Sequence, residues 1–300
     1  MNSERHEDDL LSPLPVSVVV VNYNAGKLLA DCVSSLILAR AQEVLIVDNA
    51  SSDTSVADAI ATVSEIGSGC DVRVVQTGTN LGYGKAANLG FPQTLARYVA
   101  ICNPDVTVET STLEKLTDFL ITNKKVGIVG PRIEDALGRD YPSVRRFPSL
   151  GISAMHALLG QLWPNNRFSR FYKSVDSDAL GLDRWLSGAF LVLERSFLLE
   201  IGGFDPEFFM FMEDVELCSR VIASGREIGY EKQALVTHRQ GSSSARRPYF
   251  VLYHHHRSLW IYARKTVVGL RRPLLLIVAP GILFRFSVGL ARTFLGGRIK

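Results

Sequence analysis

The sequence contains no acidic residue after Glu231, although thirteen lysine and arginine residues follow that position. Since the whole chain has a formal net charge of +3 at pH 7, the residues up to Glu231 carry a net charge of −10. The chain therefore combines an acidic body with a basic tail. This asymmetry predicts an anionic partner for the tail, and we expect an anionic membrane surface rather than a nucleic acid.

Cysteine is scarce, and the four cysteines Cys32, Cys70, Cys102 and Cys218 form no C-x-x-C pair. We therefore expect reduced thiols rather than a disulfide framework, with Cys32 and Cys218 on the apolar faces of helices. The first dozen residues are polar and lack the apolar segment of a secretory signal. They predict a disordered tail over residues 1–14 and a cytoplasmic protein.

The basic tail also lacks an apolar run of the roughly 20 residues that a membrane-spanning helix needs. Its apolar run from Pro273 to Phe284 has twelve residues, contains Pro280-Gly281 and ends before Arg285. With the surrounding basic residues, this run predicts an amphipathic helical extension over residues 246–300. We expect the extension to lie peripherally on the inner face of the cell membrane; a helical hairpin packed on the protein's own core is the alternative.

Strand-like and helix-like segments alternate through the first 130 residues. The β-branched run Val16–Val21 predicts a strand buried on both faces, and the apolar positions between Leu28 and Leu36 recur at helical spacing. Further strands are predicted at 43–47, 72–75, 98–102 and 126–129, and further helices from about 54, at 84–97 and at 111–122. The alternation predicts an α/β fold with a mostly parallel, Rossmann-like sheet flanked by helices.

Polar clusters follow four of the predicted strands. They comprise Asn22 to Asn24, Asp48 to Asp53, Gly78 to Lys85 and Asn103 to Asp105. Ligands of open α/β sheets bind beyond the carboxyl ends of the strands. We therefore expect these clusters to converge on a single crevice of nucleotide size.

The regular alternation stops between about Pro131 and Arg184. This segment is basic and aromatic, with Arg145, Arg146, Arg167, Phe168, Arg170 and Phe171. A long irregular segment of this kind is typical of an acceptor-binding loop, and a surface insertion without a partner is an equally weighted alternative.

Two motifs present carboxylates suited to catalysis. In Asn103-Pro-Asp105, the proline fixes the turn so that Asp105 projects beyond the strand and can bind Mg²⁺ or Mn²⁺, although such an aspartate often only caps a helix. The run Phe208–Asp214 delivers Glu213 and Asp214 to a helix start, where the macrodipole favours ionised carboxylates. Asp214 is thus a candidate general base, with helix-start charge as the alternative.

Histidines add one candidate metal ligand. His238 lies among loop residues and is either a third metal ligand or a simple loop histidine. The run His254 to His256 resembles a metal cluster, but consecutive helical residues point about 100° apart and cannot converge on one ion.

Two phosphate-binding motifs are matched only superficially. Gly78–Ala86 resembles a P-loop but has one extra residue and lacks the metal-binding hydroxyl. Gly82–Ala87 fits G-x-G-x-x-A but begins several residues past its strand. These departures disfavour a nicotinamide-dependent oxidoreductase.

The motifs, taken in order, resemble the family 2 glycosyltransferases, in particular the bacterial rhamnosyltransferase-like group that builds cell-surface polysaccharides on lipid carriers. The resemblance spans about Pro15 to Arg264 and implies a GT-A domain over residues 15–245. Its nucleotide-binding part would cover 15–130 and its acceptor part 131–245. The motifs that carry it are Val18–Asn24, Val47–Asp53, Asn80–Asn88, Asn103-Pro-Asp105, Ser187–Phe190, Gly203–Pro206, Glu213-Asp214 and His238.

The resemblance also implies roles for individual residues. The donor would be bound by Asn22, Tyr23, Asn24, Asp48, Asn49, Ser51, Asp53, Asn80, Gly82, Tyr83, Gly84, Lys85, Asn88 and Asn103. The metal would be bound by Asp105 and His238, the acceptor by Trp185, Ser187, Gly188 and Arg257, and the proton by Asp214 beside Glu213. Asn103 replaces the first aspartate of the family's frequent Asp-x-Asp motif, which implies weaker, phosphate-assisted metal binding.

The implied reaction is an inverting transfer of a sugar from a nucleotide diphosphate donor to an acceptor hydroxyl. L-rhamnose from dTDP-rhamnose is the implied donor, and a lipid-linked or growing surface glycan is the implied acceptor. A non-catalytic scaffold subunit that binds sugar nucleotides within a polysaccharide assembly complex is the alternative. The sequence leaves a homodimer open.

Overall fold

The computed structural model describes residues 12–67, 69–147, 181–239 and 247–295. Most of the predicted N-terminal tail lies outside these ranges, as do Arg167, Phe168, Arg170 and Phe171 of the predicted acceptor loop.

Strands and helices alternate through the first half of the chain. They are β1 (Leu14–Asn22), α1 (Leu28–Leu38), β2 (Ala41–Asp48), α2 (Ser55–Ile66), β3 (Asp71–Gln76), α3 (Tyr83–Gly90), β4 (Tyr98–Cys102), β5 (Val106–Val108), α4 (Thr112–Thr122) and β6 (Val126–Glu134). The second half adds β7 (Asp140–Tyr141), β8 (Val144–Arg146), β9 (Arg184–Leu186), β10 (Phe190–Glu194), α5 (Arg195–Glu200), α6 (Glu213–Ala223), β11 (Glu227–His238), α7 (Pro248–Thr266) and α8 (Leu275–Phe294).

The strands of the described ranges form one large mixed sheet and one small sheet. The large sheet has the order β3-β2-β1-β4-β10-β6-β11-β5, with β7 joined to β6, and β8 pairs with β9 apart from it. The strands β3, β2, β1 and β4 run parallel, as predicted. The inserted strand β10 runs antiparallel to both β4 and β6. The predicted α/β fold flanked by helices is confirmed.

The sheet is buried on both faces. Val16, Val18 and Val20 of β1 pack in one apolar cluster with α1, whereas Val19 and Val21 pack in a second cluster with α3. This placement explains the continuous β-branched run, since a strand covered on both sides has no solvent-facing positions. The carboxyl edge of the sheet is thereby held rigidly for the loops that follow.

One expectation for the C-terminal tail is wrong. The tail was expected to be too short to span a membrane, but the helical segment from Gly269 to Phe294 has 26 residues and includes Arg285, and by length and composition it is enough to cross a membrane. Pro280 lies inside helix α8 without ending it. A proline removes one backbone hydrogen bond and bends a helix, but the apolar residues on both sides continue it.

Helix α8 packs mainly on α7. Gly289 lies against Leu252, where an added Cβ would come within 2.7 Å of the leucine, and Phe286 meets His256 with ring centroids 5.4 Å apart. Only 6% of its most apolar window is buried. The alternative of a hairpin buried on the protein's own core therefore does not describe α8.

Candidate active site

The turn after β4 brings a carboxylate and an imidazole together. Asp105 Oδ1 lies 3.1 Å from Nε2 of His238, which ends β11, and both side chains are 12% exposed. Asn103 Nδ2 lies 3.4 Å from the same ring nitrogen. Two residues 133 positions apart are thus neighbours, because β11 pairs with β5 directly beyond the turn.

This pair fits a hard divalent cation. Oxygen and nitrogen ligands that bind Mg²⁺ at about 2.0–2.1 Å and at right angles lie about 3 Å from each other, close to the observed separation. Within the described ranges no group of three or more His, Cys, Asp and Glu side chains is arranged to hold a metal. A cation held by Asp105 and His238 would therefore need substrate phosphates and water for its remaining positions.

The start of α6 fixes a second carboxylate. Asp214 Oδ2 accepts a hydrogen bond of 2.9 Å from the Gly188 backbone N–H, and its Oδ1 accepts one of 2.8 Å from the Val215 N–H. Gly188 lies close to this side chain, since a Cβ added there would lie 3.2 Å from the Asp214 Cβ. The predicted base and the predicted acceptor motif therefore hold each other in place.

The two residues before this carboxylate pair are strained. Phe211 and Met212 both have φ of 67°, a left-handed conformation that costs non-glycine residues roughly 1–2 kcal/mol each. Helix α7 supports them: the Ser258 hydroxyl donates to the Met210 carbonyl at 2.8 Å, and His255 meets the Phe211 ring edge-on at 5.3 Å. The two left-handed residues turn the chain sharply, so that Glu213 and Asp214 enter the site together.

Burial changes the ionisation predicted for this pair. Burial, and then the neighbouring Asp214, raise the pKa of Glu213 to about 8, and its side chain is only 8% exposed. Burial also raises the pKa of Asp214, while hydrogen bonds from Gly188 and Val215 and the charge of Arg145 oppose that rise. The prediction that the helix dipole keeps both groups ionised is therefore wrong for Glu213. A proton on Glu213 leaves the negative charge on Asp214.

The pH dependence of stability should reveal the buried proton on Glu213. In an unfolded chain Glu213 ionises near pH 4.3, whereas its folded pKa is about 8. Folding therefore takes up a proton between these values, and the contribution to stability is lost as pH rises through about 8. The Tm of Glu213→Gln relative to the unaltered protein should rise from about pH 5 to about pH 8, as measured by thermal unfolding; parallel Tm curves would contradict the buried proton.

Tyr83 lies between the metal side and the base side. Its hydroxyl donates to the Gly188 carbonyl at 2.8 Å. Burial raises the Tyr83 pKa well above its usual value, and the charges of Glu213, Asp214 and Asp105 raise it further. The Asn103 N–H donates to the Ala189 carbonyl at 3.0 Å, next to Gly188, so the motifs of Asp105 and Asp214 lie at the same edge of the sheet.

The loops after β1 and β2 are joined by a buried amide. Asn22 is fully buried, and its Nδ2 lies 2.9 Å from Asp48 Oδ1, 3.0 Å from Ser51 Oγ and 2.9 Å from Ser55 Oγ. Asp48 is also buried, at 3% exposed. These residues shape the floor of the predicted nucleotide crevice from inside the fold.

The more accessible residues of these loops form the rim. Asn24, with φ of 52°, accepts a hydrogen bond of 2.7 Å from the Ser52 N–H. Asp53 accepts a hydrogen bond of 2.8 Å from the Gly26 N–H and one of 2.6 Å from the Ser55 hydroxyl. Tyr23 is partly exposed beside them. The rim is thus preorganised by side chain to backbone bonds.

A second amide joins this crevice to the glycine-rich loop. Asn49 is 3% exposed. Its Nδ2 donates a hydrogen bond to Asn80 Oδ1 at 3.0 Å, and its Oδ1 accepts one of 2.8 Å from the Leu81 N–H. Asn80 Oδ1 also accepts a hydrogen bond of 3.0 Å from the Gly82 N–H. The clusters after β2 and β3 therefore converge, as the sequence predicted.

The glycine-rich loop packs tightly against the segment before α6. At Gly82, with φ of +85°, an added Cβ would lie 2.2 Å from the Phe209 carbonyl oxygen, so a larger residue is excluded. Gly84 lies against Phe204, and Asn88 exchanges two hydrogen bonds with the Phe204 backbone, at 2.7 and 2.8 Å. These predicted donor residues thus connect the loop after β3 to the segment that leads into Glu213 and Asp214.

Arg145, which the sequence placed only in the irregular basic and aromatic segment, stacks on two aromatic rings of the site. The Arg145 guanidinium lies 5.3 Å from the centre of the Trp185 ring and 5.4 Å from that of Tyr141. Tyr141 in turn meets His238 edge-on at 6.1 Å. Arg145 therefore links the metal side to Asp214, whose pKa it lowers. The basic, aromatic segment around Arg145 is visible in the sequence, but no local pattern indicates an electrostatic effect on a residue 69 positions away.

The predicted acceptor residues fall in two places. Trp185 is 7% exposed and donates from Nε1 to the Arg146 carbonyl at 3.0 Å, and Ser187 and Gly188 follow it toward Asp214. Arg257 lies elsewhere, in a cavity that it shares with Lys85.

The sheet with its polar loops and carboxylates gathered at one edge defines a transferase of the GT-A type. The family model of glycosyl transferase family 2 matches residues 17–181. The chain belongs to this family and is a glycosyltransferase.

Two relatives and one solved structure specify the similarity. The N-acetylglucosaminyl-diphospho-decaprenol L-rhamnosyltransferase of Mycobacterium tuberculosis is 35% identical over 259 residues, 82% of each chain. Rhamnosyltransferase WbbL of Escherichia coli is 28% identical over 135 residues, 44% of this chain and 48% of the relative. The mannosyltransferase PcManGT of Pyrobaculum calidifontis, solved with GDP-Man and Mn²⁺, matches with a TM-score of 0.60 at 16% identity, covering 96% of this chain and 79% of that one.

Proposed function

We propose that the protein transfers L-rhamnose from dTDP-rhamnose, with inversion, to a hydroxyl of a lipid-linked glycan. The observation that carries this proposal is that Asp214, through its bond with Gly188, and the Asp105–His238 pair lie where the start of β10 pairs with the end of β4. The rhamnosyltransferase at 35% identity supports the sugar and a diphosphate-linked lipid acceptor.

Asp214 is the proposed general base. The protonated Glu213 beside it concentrates the negative charge on Asp214, which takes the proton of the acceptor hydroxyl as that hydroxyl attacks the anomeric carbon. The bonds from Gly188 and Val215 orient the carboxylate during this step. A single displacement of this kind inverts the configuration at the anomeric carbon.

Asp105 and His238 are the proposed ligands of Mg²⁺ or Mn²⁺. When bound, the cation supplies Lewis-acid stabilisation of the departing diphosphate. The structural neighbour solved with GDP-Man and Mn²⁺ supports a divalent metal in this fold.

The donor nucleotide is proposed to bind across the loops after β1, β2 and β3. The partly exposed Tyr23, Asn24 and Ser51 and the exposed Asp53 are suited to direct contact with base and ribose. The buried Asn22 and Asn49 instead hold these loops in position.

The test is a panel of nucleotide sugars with the purified full chain, manganese and a polyprenyl diphosphate-linked N-acetylglucosamine acceptor. We expect nucleoside diphosphate release to be fastest with dTDP-rhamnose and to require the acceptor. NMR of the product should show inverted anomeric configuration. Acceptor-dependent release with another nucleotide sugar but not with dTDP-rhamnose would overturn the proposed donor.

We also propose that the chain lies on the cytoplasmic face of an anionic membrane through α8. Leu276 and Ile277 are 79% and 72% exposed, and Arg271 and Arg272 precede them on the exposed 3₁₀ turn. Apolar side chains next to basic ones suit an interfacial helix on anionic lipid.

Substitution of the two arginines tests the membrane proposal. Each basic residue near an anionic surface contributes about 1 kcal/mol, so Arg271→Gln with Arg272→Gln should weaken binding to phosphatidylglycerol vesicles about thirtyfold in flotation assays. The matched control is the double variant Lys124→Gln with Lys125→Gln, which removes two exposed lysines outside the basic tail. Equal binding by both double variants would contradict the assignment.

A further inference from the structure

A cavity of about 450 Å³ lies between the start of α3 and helix α7, and Asp105, Asp214 and His238 do not line it. Its walls come from the glycine-rich loop, from the segment before α6 and from α7. They are formed by Leu81, Lys85, Glu207, Phe209, His254 and Arg257, together with a proline.

The cavity is adjacent to the catalytic site. The Phe209 carbonyl accepts a hydrogen bond of 2.9 Å from the Tyr83 N–H, and the Tyr83 hydroxyl bonds Gly188, which in turn bonds Asp214. Phe209 therefore forms a wall of the cavity and also belongs to the chain segment that leads into the base. A ligand in the cavity would lie beside the acceptor position.

The cavity carries positive charge. Lys85 is exposed and makes no ion pair within the described ranges, and Arg257 Nη1 donates to the Glu207 carbonyl at 2.9 Å. The Glu207 carboxylate is paired with cations outside the cavity, Arg264 at 2.8 Å and Lys265 at 3.5 Å. The charges of Lys85 and Arg257 are therefore available to an anion.

A histidine supplies a further polar group. His254 stacks on Phe209 with ring centroids 4.3 Å apart. Its buried Nδ1 has no hydrogen-bond partner within the described part of the chain. Burial and the charge of Arg257 lower the His254 pKa, so the ring is neutral and can donate one N–H to a phosphate oxygen.

We propose that this cavity binds the diphosphate of a lipid-linked acceptor. Two cations and an imidazole suit a diphosphate that binds without a metal, in contrast to the donor diphosphate beside Asp105. The apolar chain of the lipid would continue along α8, which packs on the same helix α7. The assignment rests on the proposed function, since it names where the lipid-linked substrate of that reaction is held.

Binding of farnesyl diphosphate to the full chain, measured by isothermal titration calorimetry without donor, tests this site. Lys85→Met and Arg257→Met should each weaken binding about tenfold to hundredfold, because each removes a charged hydrogen-bond donor. Lys124→Met, which removes an equally exposed lysine on another face, should bind as the unaltered chain does. Arg257→Lys keeps the charge and should lose less affinity than Arg257→Met.

Two probes distinguish the source of the phosphate. Farnesyl diphosphate should bind more tightly than inorganic pyrophosphate, and the two methionine variants should bind phosphatidylglycerol vesicles as the unaltered chain does. Equal affinity for pyrophosphate, or loss of vesicle binding in these variants, would overturn the lipid-diphosphate assignment.

Binding of the donor nucleotide distinguishes an acceptor-diphosphate site from the donor site. The resemblance implied that Lys85 binds the donor, whereas the present proposal reassigns Lys85, which lines this cavity with Arg257, to the acceptor diphosphate. Calorimetric titration of dTDP with manganese should therefore give the same affinity in both methionine variants. A loss of dTDP affinity with unchanged farnesyl diphosphate binding would place the two cations at the donor and overturn the inference. If farnesyl diphosphate binds as expected but no nucleotide sugar is turned over, the cavity assignment stands and the proposed reaction fails.

Discussion

Replacing Asp214 by asparagine is expected to reduce kcat about 10²- to 10⁴-fold while leaving the affinity for dTDP-rhamnose nearly unchanged. The amide keeps the size of the side chain, and its oxygen can still accept the N–H of Gly188 or Val215, but it cannot take a proton. Initial rates of dTDP release give kcat, and calorimetry in the absence of acceptor gives donor affinity.

The matched control is Asp118→Asn, which removes an exposed carboxylate from α4. Its kcat should equal that of the unaltered protein. Full activity of Asp214→Asn would exclude this residue as the base. It would also leave the strained turn at Phe211 and Met212 without a catalytic reason.

Replacing Asp105 by alanine is expected to lower kcat/KM about 10²- to 10³-fold, because Lewis-acid stabilisation of the leaving diphosphate is worth several kcal/mol. His238 alone would retain the cation weakly. Binding of Mn²⁺ in the presence of dTDP, followed by electron paramagnetic resonance, should weaken by a similar factor. This readout reports the site independently of turnover.

Glu109→Gln is the control for Asp105, since it removes an exposed carboxylate just beyond β5, the strand that follows the turn. It should leave both manganese binding and kcat/KM unchanged. His238→Gln should weaken manganese binding as well, because its Nε2 lies beside the Asp105 carboxylate. Unaltered manganese binding in Asp105→Ala would show that the cation is held elsewhere.

Periodicity and strand-end chemistry predicted the framework of the site. The β-branched run of β1 requires burial on both faces, and parallel strands bring their carboxyl ends to one edge, so the clusters at Asn22, Asp48, Asn80 and Asp105 had to converge. The bonds from Asn22 to Asp48 and from Asn49 to Asn80 confirm the convergence of the first three clusters. These features follow from local patterns and the geometry of βα units, which is why the sequence alone is sufficient for them.

The antiparallel direction of β10 was not predictable in the same way. Leu191 to Leu193 is apolar enough for a strand, but its direction depends on the path of the chain through the acceptor half. The length available for crossing a membrane was underestimated, because Pro280-Gly281 and Arg285 limit the apolar run in the sequence while the helix continues past them.

Local sequence patterns specify which residue types the site contains and which strand ends present them, because side-chain periodicity and turn chemistry act over a few residues. The folded arrangement adds that Arg145 lowers the Asp214 pKa, that Glu213 is buried with a raised pKa and that Lys85 and Arg257 share a cavity. Ionisation and charge pairing depend on distances in space and on the exclusion of water, and neither is a function of separation along the chain.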